Sequence, residues 1–153
     1  MRRSYVTGRI FVSLAVVLLV GCTAPTPRPQ PTATVTGSHE TVQTFPTRFS
    51  DAGRVVVDVT PLNLDRPEDT LHFRVGMNTH SVDLSYDLAQ LAVLRTDRGD
   101  EVAALRWDGA MGGHHVNGTL YFPAVNLEGV QWLEVVIRGV AGVSERVFRW
   151  ELP

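Results

Sequence analysis

The chain of 153 residues contains a single cysteine, Cys22, so no disulfide can form within it. It contains no lysine, and all 14 of its basic residues are arginine, against 16 acidic side chains. Neither a dinucleotide-binding glycine fingerprint nor a phosphate-binding loop occurs. Gly-x-Ser-x-Gly and His-Glu-x-x-His are missing as well. Ser81 beside His80 does not supply a nucleophile and a base, because neighbouring positions on one strand cannot converge on a reacting atom. The apolar stretch from Ile10 to Val20 is too short to cross a bilayer, which takes ~20 residues. No internal repeat is present. These absences argue against the common enzyme classes and leave a small binding module as the expected class.

What is present begins with the N-terminus. Arg2, Arg3 and Arg9 precede the apolar stretch, which ends in Leu19-Val20-Gly21-Cys22. Basic, apolar and small residues in that order make a secretory signal. The last four residues resemble a bacterial lipobox. That resemblance implies cleavage before Cys22, a diacylglyceryl group on its thiol, and a domain on the extracytoplasmic side of a cell or outer membrane. Two acyl chains suffice for stable attachment, since each buried methylene contributes ~0.8 kcal/mol. Pro25, Pro27, Pro29 and Pro31 alternate with other residues in the segment that follows. Such density favours extended, semi-rigid chain, a spacer in which His39 and Glu40 have no evident role. The expected organisation is a signal over 1–21, a lipidated cysteine and linker over 22–48, and a folded domain over 49–153. Removal of the signal leaves 11 arginines against 16 acids, a formal charge of −5 that gives no footing for nucleic acid.

The domain reads as all-β. Val55, Val57 and Val59 alternate, as do Leu71, Phe73, Val75 and Met77, and then Val82, Leu84, Tyr86 and Leu88. The apolar positions are odd up to Met77 and even from Val82, so a bend is required between them. "LAVLRTDRGDEVAALRW" predicts a hairpin turning at Asp97 to Asp100, and three further strands follow, ending in "SERVFRWEL". Seven or eight short strands, with at most a helical turn in "LSYDLAQLAVL", predict a single antiparallel β-sandwich, immunoglobulin-like in architecture alone.

Two readings of function follow. In the first, the domain is a lipid-anchored binding or interaction module without catalytic activity, meeting an envelope protein partner through an exposed aromatic surface around Trp132, which lies opposite Leu133 and Val135. In the second, it binds copper or zinc through His114 and His115 in "GGHH", joined by His80 and by a carboxylate such as Asp108 or Asp83, with Met111 or Met77 as soft ligands. Adjacent residues on a regular strand face opposite ways, so the second reading needs a bent backbone at Gly112 and Gly113 and depends on whether Asn78 to Ser81 lies at the same end of the sandwich. A plain strand-entry corner is the alternative for "GGHH". His72 alternates outward with Arg74, and the "NGT" sequon at Asn117 to Thr119 carries no expected role.

Overall fold

A computed structural model describes residues 44–153, and the signal, Cys22 and most of the spacer lie outside the described residues. The described residues form nine strands, two short helical turns and no helix long and apolar enough to cross a membrane. One sheet has the order β1-β2-β3-β7-β6, from β1 (Arg48–Ala52), β2 (Val55–Pro61), β3 (Thr70–Thr79), β6 (Arg106–Trp107) and β7 (His115–Pro123). The other has the order β5-β4-β8-β9, from β4 (Ala92–Thr96), β5 (Glu101–Ala103), β8 (Trp132–Arg138) and β9 (Glu145–Glu151). Every pairing is antiparallel, and the expected all-β sandwich is what the chain forms.

Three details differ from the sequence expectation. Arg48–Ala52 is an additional strand, reached through a two-residue turn at Gly53 and Arg54. "EVAALRW" is divided between the sheets: Ala104 N donates to Ala92 O in one, and Leu105 N donates to Tyr121 O in the other. Val82 to Leu88 is not a ladder strand. Asp87 ends the run by accepting from Ala89 N, which caps the turn α1 (Leu88–Leu91). Leu84 and Leu88 are nevertheless fully buried, because alternation reports which side chains face inward and not whether a backbone is paired.

The inward rows of the two sheets interlock around Phe73, whose ring lies 5.7 Å from Phe122 and 5.6 Å from Trp150. On β7 the inward position 118 is glycine, and the Trp107 indole and the Gly109 backbone occupy the space a side chain would take.

The two long sides of the sandwich close differently. On one, the chain itself crosses between β5 and β6. On the other, β9 reaches across to β1 through Arg146, which is 2% exposed. Its Nη1 donates to Ser50 O at 3.2 Å and Ser50 Oγ at 3.0 Å, and its Nη2 donates to Ala52 O at 2.7 Å. Burial pulls this guanidinium below the ordinary arginine value, with Asp51 acting in the opposite direction.

The outer face of the four-stranded sheet is a charge lattice. Glu101, Arg95, Glu134 and Arg149 stand opposite one another on successive strands, acid alternating with base. Arg95 Nε donates to Glu101 at 2.6 Å, and Arg149 reaches Glu134 with Nη2 at 2.9 Å and Nε at 3.1 Å. Arg138 joins Glu145 at 3.1 Å and Glu101 at 3.6 Å. Val136, between Glu134 and Arg138 on β8, is fully buried although its parity puts it on the outer face. The Arg95 hydrogen bond holds the Glu101 carboxyl below its ordinary value of 4.5, and the Arg138 bond does the same for Glu145. A depressed carboxylate stabilises the fold fully above its unfolded value and loses that contribution as pH falls through the folded one. Thermal melts are therefore expected to be insensitive to these groups near neutrality and to fall below about pH 4.5, with a shallower acid slope in the Glu101→Gln, Glu145→Gln double variant.

Candidate functional site

Antiparallel pairing of β3 with β7 sets Asn78 opposite His115, so the corner after β3 and the entry to β7 lie at one end of the sandwich. His80 and His115 meet there with ring centroids 6.3 Å apart and planes at 81°. His115 Nδ1 and Asn78 Oδ1 are 2.9 Å apart. His80, His114 and His115 are all exposed.

The backbone of "GGHH" is bent at its two glycines. Gly112 and Gly113 have φ of 99° and 93°, which glycine adopts without the steric cost a Cβ would bring. That bend lays the loop on the segment after β3: Gly112 N donates to Leu84 O, Leu84 N to Gly113 O, and Thr79 N to His114 O. Asp83 fastens it further, accepting from Gly113 N at 2.8 Å and from Ser85 Oγ. The Ser85 bond, then the Gly113 bond, hold the Asp83 carboxyl below its ordinary value, and nearby His114 adds to the effect. Backbone bonds thus make this segment a firm corner that displays its imidazoles.

The other candidates are placed elsewhere. Asp108 lies on the outer face of the five-stranded sheet, accepting from Thr119 N at 2.5 Å and Tyr121 Oη at 3.0 Å. Thr119 is four residues along β7 from His115, about 13 Å at the strand rise of ~3.3 Å, so Asp108 is not beside the histidines. Met77 is fully buried in the core, whereas Met111 is 64% exposed on the tip loop. Among the described residues, no three His, Cys, Asp or Glu side chains are grouped to hold a metal ion. Trp132 is half-buried and is not a bare aromatic surface, because the Arg149 guanidinium lies 3.9 Å over its ring. His72 instead packs edge-on to Tyr121 at 4.7 Å, with Arg106 stacked 3.8 Å over the same ring.

The histidine end also carries the Gly53–Arg54 turn and the turn η1 (Val140–Gly142), where Ala141 N donates to Tyr86 Oη at 3.0 Å. The opposite end receives the chain. There Phe45, Leu64, Leu127, Leu152 and Pro153 line a shallow groove of about 190 Å³, smaller than the ~300–1,000 Å³ of ordinary small-molecule sites. Residues 44–48 and the last residues therefore share a base, and the histidine corner is the tip. Its signal in the sequence is the pair of glycines before two histidines; the pairing that adds His80 needed the register.

Comparison of the chain with protein-family models, with curated proteins and with solved structures returns no match.

Proposed function

We propose that this chain is a lipid-anchored extracytoplasmic binding module without catalytic activity, tethered through Cys22 and meeting an envelope partner with the tip loops. One observation supports this reading above the others: the chain enters the domain at the end opposite His80, His114 and His115. A tether leading to that base leaves the tip facing away from the bilayer. The tip is also suited to contact, since its backbone is hydrogen-bonded while its imidazoles and the Met111 side chain remain exposed. Firm backbone under exposed side chains lowers the ordering cost of binding. The copper or zinc reading has less support, because among the described residues His80 and His115, whose rings meet, have no third ligand grouped with them.

Two measurements test the proposal together. Cys22→Ala is expected to move the protein from the membrane fraction to the soluble one and to abolish incorporation of labelled fatty acid; unchanged fractionation would refute the anchor. A photo-crosslinker in place of Met111 is expected to give a discrete adduct in intact envelopes. One in place of Leu62, at the base, is expected to give none; adducts from both positions alike would refute the tip as contact surface.

A further inference from the structure

We infer that β1 is a mechanical strap, built so that tension arriving from the membrane tether is carried by both sheets at once. The inference takes its direction of load from the anchored-module reading, with the tether at the base and the partner at the tip.

The strand that first receives the tether is an edge strand of only five residues, which its ladder to β2 alone would hold weakly. Its other side is fastened to β9 at every second residue. Pro46 O accepts from Trp150 Nε1 at 2.7 Å. Arg48 Nε donates to Arg149 O at 2.9 Å. Ser50 O and Ala52 O accept from the two terminal nitrogens of Arg146. Pro46, Arg48, Ser50 and Ala52 thus bind the last strand of the opposite sheet, while Arg48 to Ala52 also pair with Val59 to Val55. Thr47 Oγ1 adds a contact to Thr60 Oγ1 at 2.7 Å ahead of the first rung.

Burial makes the fastening strong. The Arg146 and Trp150 side chains are almost wholly removed from water, so their part-buried hydrogen bonds meet less solvent competition than exposed ones, and a charged donor bound to carbonyls contributes more than a neutral one. Direction matters as much. β1 runs from the base toward the tip, so tension between tether and tip acts along the strand and loads all its rungs together. Tension between the tether and the C-terminus, both at the base, would instead peel β1 from β9 one bond at a time.

Single-molecule pulling separates the two cases. The full-length chain, synthesised cell-free so that Cys22 keeps its thiol, takes one handle there and the second at the tip (Met111→Cys) or at a C-terminal tag. At equal force, rupture is expected to be at least about tenfold slower under tip load than under base load. Arg146→Met is expected to speed tip-loaded rupture by about tenfold or more, the effect of losing a charged hydrogen bond before the barrier. Arg48→Gln, whose parent side chain is exposed, should act in the same direction and keeps the test available if Arg146→Met does not fold. Equal rupture rates on the two axes, or variants that fold and rupture like the parent, would overturn the strap. No lipid or partner enters this measurement, so a failed anchor shows itself in fatty-acid labelling and a failed strap in the rupture rates.

Discussion

Replacing Trp150 with alanine is expected to lower the unfolding free energy by about 3–5 kcal/mol, a large share of the ~5–15 kcal/mol typical of a domain. The indole is fully buried, packs 5.6 Å from Phe73, and anchors the entering chain through Pro46 O. Its removal leaves a cavity between the sheets that β-sheet backbones cannot collapse to fill. Trp150→Phe separates packing from hydrogen bonding: it keeps most of the apolar volume and loses the N–H, for an expected cost of about 1–2 kcal/mol. Urea melts of the three proteins check the order, with the midpoint falling from parent to phenylalanine to alanine. An alanine variant as stable as the parent would show that the aromatic centre is not where the sandwich is held.

Gly118→Ala is expected to be nearly as damaging, although it adds one methyl group. A Cβ at position 118 would overlap the Gly109 Cα and N, and would lie 2.8 Å from Trp107 Cη2. Backbone atoms cannot rotate away as a side-chain tip can, so β6 must separate from β7 and the indole must leave its seat. Overpacking of this kind costs about 1–3 kcal/mol. Because Trp107 moves, the near-ultraviolet circular dichroism of the native state should change together with the urea midpoint. A lowered midpoint with an unchanged aromatic spectrum would mean that the strain is taken up elsewhere.

Residues whose inward faces meet the core were legible in the sequence, since burial on one side of a pleated strand enforces alternation. Val55, Val57 and Val59 and the row from Leu71 to Met77 are buried as their spacing predicts. β1 was illegible for the converse reason. Its inward positions are Arg48, Ser50 and Ala52: Ser50 and Ala52 meet the Arg146 guanidinium and Arg48 the Arg149 carbonyl, none of them an apolar neighbour, while Phe49 points outward and is 70% exposed. The place where residues 104 and 105 change sheets has no period to betray it, because the hydrogen bonds of successive residues, not their side chains, define the crossing. The candidate site was half legible. Two glycines before two histidines announced a bent corner, but only the β3–β7 register brings His80 to it and leaves Asp108 on the sheet face. Trp132 was read as an outward-facing aromatic correctly by parity, while its Arg149 cover depends on a cross-strand neighbour two chain segments away.

The closure of both long sides bears on how molecules of this protein behave toward one another. An unoccupied strand edge can template pairing with a neighbouring copy, the more so at high local concentration. Here the carbonyls of Ser50 and Ala52 are already occupied by Arg146, and β5 and β6, at three and two residues, offer too short a rail for another strand to follow. The same arginine that joins the sheets therefore also denies a neighbouring copy a partner strand along this edge, and so works against cross-β association between molecules.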